Sequence, residues 1–291
     1  MTFWATCRIG LVFIALAQLG MSQSVGLRPP TGVRAGSTFS IETSGVGKAS
    51  LYVIGPAGVL NREIQLGEPV SFTPDELHNA GDYLILLAGS GTTQSAQFDL
   101  LPSQKPARLS FLAKPSRLPV NQSNGLSGVV YVFDTFGNLV LKPQQVSFDL
   151  LGSDGKKETR TAMTNDGVGW VRMNSATKAG TATVTASIDG IQEKRVVQQV
   201  AGDPCSLKMS ARRDGKNVVL VTDPVRDCAG NPVPDGTVVT FTEAYGGREA
   251  TVDVPLKRGV AQTALPSEPN ADISVAAGVV MGNEIRWNGG R

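Results

Sequence analysis

One spacing constrains this chain more than any other feature. Asp134, Gly137, Asn138 and Phe148 recur as Asp227, Gly230, Asn231 and Phe241, all at an offset of 93 residues. The second copy runs Asp227-Cys228-Ala229-Gly230-Asn231-Pro232-Val233-Pro234-Asp235-Gly236 and then alternates through Thr237-Val238-Val239-Thr240-Phe241. Gly and Asn tolerate positive φ, Pro fixes φ near about −65°, and a Val/Thr alternation suits a half-buried strand. Two turns therefore lead into a β-strand, twice. A period this long marks an array of whole domains rather than a solenoid.

With 291 residues the chain is long enough for about two or three domains. Its 33 glycines and 17 prolines punctuate short alternating runs, and no long stretch repeats apolar residues at i, i+3, i+4 and i+7. That pattern predicts an all-β chain. Lys and Arg total 27 against 25 Asp and Glu, a balance that argues against nucleic acid, which needs a clustered basic face.

Residues 1–22 read as a secretory signal peptide: Arg8 supplies the positive flank, and the apolar core at 9–19 is too short to span a bilayer. Gly20 and Ser22 fit a cleavage that leaves Gln23 first, with cleavage after Ala17 as the alternative. Cys7 precedes the apolar core, so it is not a lipoprotein cysteine and leaves with the leader. The expected location is secreted, extracellular or periplasmic, with no transmembrane segment in the mature chain.

A first domain is expected over 25–101, with strands at 38–43, 49–54, 70–72 and 82–87 and a turn at Gly55-Pro56-Ala57-Gly58. Asn79-Ala80-Gly81-Asp82-Tyr83 resembles the tyrosine corner of immunoglobulin-like sandwiches, and an ordinary strand tyrosine is the competing reading. His78, the single histidine, lies in a polar segment and reads as a solvated loop residue. Residues 102–106, with Pro102 and Pro106, form a stiff linker.

Two further domains are expected at 107–201 and 203–291. The first of these follows its Gly-Asn turn with a valine-rich strand, then Thr164-Asn165-Asp166-Gly167, then Ala179-Gly180-Thr181-Ala182-Thr183-Val184. This order resembles the bacterial immunoglobulin-like domains of the invasin/intimin type. The resemblance covers about 106–201, extends less fully over 203–291, and reaches 25–101 only by analogy. It implies three tandem antiparallel β-sandwiches, of the kind that stack into rods holding an adhesive tip away from a cell. The chain shows neither the outer-membrane barrel nor the lectin-like tip of full-length adhesins.

Chemistry is sparse. One histidine excludes a His-rich metal site and argues against a Ser-His-Asp triad, the cysteines lack C-x-x-C spacing, and no Gly-rich phosphate loop follows a strand and opens a helix. No catalytic residue and no cofactor is assigned, and the protein is expected not to be an enzyme. Asp223, Asp227, Asn231 and Asp235 crowd one turn. They either ligate calcium or cap local backbone, and the absence of EF-hand spacing favours capping.

Cys205 and Cys228 are the two cysteines left in an exported chain, where oxidation is expected. A run at 206–212 turning at Asp214-Gly215 and returning through 218–221 brings them together, with a register mismatch of about four residues that a bulge or Pro224 can absorb.

In Val168-Gly169-Trp170-Val171-Arg172-Met173, alternation puts Trp170 and Arg172 on one face. Gln262 stands where the third domain would repeat Trp170, so this face points outward and Trp170 is a candidate for an inter-domain or partner interface. Burial under the Arg172 stem, or a bulge at Gly169 that reverses the facing, are the alternatives. The functional expectation is a structural or adhesion-type rod that binds a protein or glycan at the cell surface or envelope. An assembly subunit and a carbohydrate-active accessory protein are the alternatives.

Overall fold

The computed structural model describes residues 25–289 with the exception of Ser90, so the leader read at 1–22 lies outside it. Among the described residues every regular element is a β-strand. The chain divides into two compact units after Leu101, at the start of the Pro-rich linker.

The first unit holds β1 (Gly26–Arg28), β2 (Val33–Arg34), β3 (Phe39–Ser44), β4 (Lys48–Gly55), β5 (Gly58–Gln65), β6 (Val70–Phe72), β7 (Gly81–Gly89) and β8 (Thr92–Leu101). They form a three-stranded sheet, β1-β3-β6, and a five-stranded sheet, β2-β8-β7-β4-β5. The ladders are antiparallel except for the short edge pair β2–β8. Ile41 and Phe72 from one sheet and Leu51, Ile85 and Leu87 from the other are almost wholly buried between them. Each such side chain contributes roughly 1.5–3 kcal/mol of burial free energy.

Tyr83 donates its hydroxyl to the Asn79 carbonyl at 2.8 Å and stacks on Phe98, which is the upstream tie of a tyrosine corner. Burial pushes its phenol pKa up. Gly55 makes room for it: a Cβ there would come within 2.1 Å of the Tyr83 ring.

The second unit contains two hydrophobic cores. The first lies among β9 (Arg108–Lys114), β10 (Arg117–Pro119), β11 (Leu126–Phe133), β12 (Gln145–Leu151), β13 (Lys157–Met163), β14 (Val168–Met173), β15 (Gly180–Ile188) and β16 (Ile191–Val200). Sheet β14-β11-β9 faces sheet β10-β16-β15-β12-β13, with Phe111 against Phe148 at 5.9 Å between ring centroids.

The second core is built from β17 (Pro204–Ser206), β18 (Met209–Asp214), β19 (Asn217–Thr222), β20 (Arg226–Asp227), β21 (Val238–Tyr245), β22 (Arg248–Pro255), β23 (Gln262–Pro266), β24 (Ala271–Ala277) and β25 (Val280–Trp287). Its sheets are β18-β19-β23 and β22-β21-β24-β25, with β17 and β20 as a separate pair. The β10–β16 edge pair is parallel, like β2–β8. In both cases the chain changes sheets early: β1 and β9 serve one sheet, and β2 and β10 cross to the edge of the other.

The 93-residue offset has a packing basis. Val132, Val140, Val146 and Phe148 are buried, and so are Val225, Val233, Val239 and Phe241 one period later. Position 150 breaks the rule, because Leu150 is replaced by Glu243. Glu243 is 7% exposed, and its Oε1 has no hydrogen-bond partner. Burial raises its carboxyl pKa above 4.5, and the charge of Glu268 adds to the effect.

A raised carboxyl stabilises the fold in its neutral form. That contribution is complete below the unfolded pKa and is lost as pH rises through the folded one. Glu243→Leu, which restores the residue of the earlier copy, is therefore expected to gain about 1–2 kcal/mol at pH 7. Urea midpoints at pH 7 and pH 4 check this: an equal gain at both values would show that the carboxylate is not charged at a cost in this core.

Candidate interaction surface

Alternation fixes the facing of β14. Gly169, Val171 and Met173 point inward, while Trp170 and Arg172 are exposed. The ladder is regular through Gly169, with Val130 opposite Gly169 and Val129 opposite Trp170, so no bulge reverses it. Trp170 is 65% exposed, which also rules out burial under the Arg172 stem. The inter-domain half of the sequence expectation fails for the junction with the following sandwich: the indole lies open on a sheet face.

Across that face Leu112, Val129 and Trp170 line up in one cross-strand row, because Val129 on the central strand pairs with both of the others. The adjoining row is Lys114, Ser127 and Arg172. On the other side Ser110, Tyr131 and Val168 align, and Arg108 lies over the Phe133 ring at 5.3 Å. None of the residues of β9, β11 and β14 is acidic. The corresponding row of the later sandwich is Ser210, Val221 and Gln262. Its polar outer members, Ser210 and Gln262, show that the repeat does not require an apolar row across all three strands here.

The repeated Asp-Asn turn has a different task. Asp227 Oδ1 accepts from the backbone N–H of Ala229 and Asn231 at 2.9 and 2.8 Å, and Oδ2 accepts from Gly202 N at 3.0 Å and Asn231 Nδ2 at 2.9 Å. Asp134 does the same with Phe136 N, Asn138 N, Ser103 N and Asn138 Nδ2. In each copy the carboxylate closes its own turn and pins the linker that precedes the sandwich.

Burial alone would raise the Asp227 pKa, but the hydrogen bonds from Asn231, Gly202 and Ala229 outweigh it and hold the carboxyl below its ordinary range. Asp235 is also lowered, because Gly259 N and Arg258 N donate to it. The oxygens read as candidate calcium ligands at 227 and 235 thus accept N–H groups: Asp227 caps its own turn as Asx residues do, whereas Asp235 ties to backbone 23 and 24 residues away. Among the described residues no three His, Cys, Asp or Glu side chains are grouped to hold a metal.

Asn231 reaches further than sequence reasoning foresaw. Its Nδ2 donates to the Thr177 carbonyl at 3.0 Å and its Oδ1 accepts from Ala179 N at 2.9 Å. These two bonds join the 207–287 sandwich to the loop before β15 of the preceding one. A cross-domain partner cannot be read from local spacing.

Cys205 and Cys228 form a disulfide with a Cα–Cα distance of 4.7 Å. The hairpin turns at Gly215-Lys216 rather than Asp214-Gly215, since Asp214 pairs with Asn217. That shift removes part of the expected mismatch. Part of the remainder is taken up where the register slips between Pro204 and Ser206, at Cys205 itself. His78 lies in the loop before β7, with Nδ1 2.8 Å from the Pro74 carbonyl oxygen.

No protein-family model matches the chain, and no curated protein does. Among solved structures, FdeC, a broadly conserved Escherichia coli adhesin, aligns over 89% of this chain and 93% of its own with a TM-score of 0.55 and 16% identity. The fold is that of bacterial immunoglobulin-like domains. Invasin, a bacterial integrin-binding protein, aligns at 15% identity over 90% of this chain and 58% of its own with a TM-score of 0.49. InvD of Yersinia pseudotuberculosis gives 11%, 92%, 98% and 0.49 in the same order. In the bacterial immunoglobulin-like fold side chains alternate between core and solvent, so a bulky exposed residue such as Trp170 is free of the packing constraint that fixes Phe148. No helix among the described residues is long and apolar enough to cross a membrane.

Proposed function

We propose that this chain is an exported, non-catalytic rod of three immunoglobulin-like sandwiches, at about 25–101, 107–201 and 203–291, that binds a protein or carbohydrate at a cell surface or envelope. The observation that carries the reading is the apolar row of exposed Leu112, half-buried Val129 and exposed Trp170, whose two outer members the later copy of the same sheet replaces with Ser210 and Gln262. Similarity of fold to a bacterial adhesin supports it, although a fold by itself hosts many functions. The Asp227 and Asn231 clamp supports the rod, because it ties both the linker and the neighbouring loop to one turn.

The test is direct binding. Fluorescently labelled chain from residue 25 onward is titrated onto intact cells of the source organism and onto immobilised host-type matrix proteins and glycans. Saturable binding that unlabelled protein competes away is expected. Binding that only rises linearly with concentration on every surface would remove the adhesive reading.

A further inference from the structure

We infer that the β14-β11-β9 face is a docking site for an anionic polysaccharide strand, bearing carboxylate or sulfate groups. The inference rests on the adhesive reading above and names its partner. Trp170 supplies a flat, solvent-open ring on which the C–H face of a pyranose can stack, and Val129 and Leu112 continue the apolar row across the sheet.

Cations stand next to that row on one side and two rows away on the other. Arg172 and Lys114 stand in the adjoining row with only Ser127 between them, and Arg108 is held over the Phe133 ring further along the face. None of the three strands carries a carboxylate that would repel an anion or pair with these cations. Arg and Lys make charge-assisted hydrogen bonds to carboxylate and sulfate oxygens.

Size selects a polymer strand over a globular protein. Three strands spaced about 4.8 Å apart and about seven residues long at 3.4 Å each give a face of roughly 340 Å². A stable protein interface needs about 800 Å² per partner. A chain of sugars laid along the sheet needs only the width of a ring. The repeat sharpens the assignment: the equivalent row Ser210, Val221 and Gln262 has neither aromatic platform nor apolar continuity, so the site belongs to the 109–197 sandwich alone.

The experiment uses the chain from residue 25 onward, titrated with polygalacturonate, dextran sulfate and unmodified dextran at low salt, with Trp emission and calorimetry as readouts. At least one polyanion is expected to bind and to shift the emission of Trp170, while neutral dextran does neither. Which polyanion binds tells carboxylate from sulfate recognition. Trp170→Ala is expected to weaken binding about tenfold or more, as loss of an aromatic anchor does, while Trp170→Phe retains most of it. Arg172→Ala with Lys114→Ala is expected to weaken it comparably. Trp170 is exposed, so these variants should fold, and circular dichroism verifies that they do.

Binding that falls in the Arg/Lys variant but is unchanged in Trp170→Ala would show a general charge effect and overturn the site. Absence of binding to all three polymers would overturn it too. If that absence is accompanied by saturable attachment to cells, the glycan assignment falls and the adhesive reading stands; if attachment is also absent, both fall.

Discussion

Asp227→Ala is expected to destabilise the 207–287 sandwich by about 3 kcal/mol or more. The carboxylate is 6% exposed and is the acceptor for the N–H groups of Gly202, Ala229 and Asn231. Removing it strands three backbone donors, each worth about 1–3 kcal/mol when left unpaired and buried, less where water can reach them. It also leaves Asn231 Nδ2 without one of its two acceptors. The substitution therefore acts at two levels: it opens the turn, and it loosens the contact with Thr177 that depends on the Asn231 rotamer.

Equilibrium urea unfolding followed by the emission of Trp287, in a Trp170→Phe background, measures the change. Trp287 suits this because it is buried in the same core and donates Nε1 to Ser267 Oγ at 2.9 Å. A loss under about 1 kcal/mol would mean that the turn holds without its carboxylate. Acidification should mimic the substitution. The Asp227 pKa is lowered in the fold, so its stabilisation is present above the unfolded pKa and fades as pH falls through the folded one.

Opening the Cys205–Cys228 bond is the second large effect. The cysteines are separated by 23 residues, and closing a loop of that size is worth about 3 kcal/mol in chain entropy. The covalent link also secures β17 and β20, a pair of two short strands with few backbone bonds of their own. Cys205→Ser with Cys228→Ser should lower the urea midpoint of the 207–287 core while leaving that of the 109–197 core unchanged. Thiol labelling of the denatured, unreduced wild-type chain supplies the control: two reactive thiols would show that the bond does not form.

The parts of the architecture that were readable in the sequence are those where one side chain does one local job. Phe148 and Phe241 face inward on alternating strands, and the Asp, Gly and Asn of each turn close that same turn, so their offset reported both fold and repeat. The facing of Trp170 followed from the alternation with Arg172.

Strands β5 and β8 escaped notice because one face is solvent, and their outward Asn61, Glu63, Ser95 and Gln97 carry no strand signal. The parallel pairings of β2 and β10 were hidden as well, since two or three residues carry no periodicity. Glu243 sits in a strand whose alternation is otherwise orderly, so only its burial in three dimensions reveals it as an exception. The reach of Asn231 to Thr177 lay beyond any local pattern, because its partner is 54 residues away.

The disulfide also determines how this chain carries a mechanical load. Tension arriving through the linker from the 109–197 sandwich meets Cys205 at the first strand of the next sandwich. From there it passes through sulfur to Cys228, and the β18–β19 hairpin lies on a slack branch of the path. A pulled and unfolded sandwich then withholds the contour of that loop, about 80 Å at the 3.3–3.6 Å that each extended residue spans. Reduction alone releases this reserve, so the redox state of the surroundings sets how far the 207–287 sandwich extends when it is pulled apart.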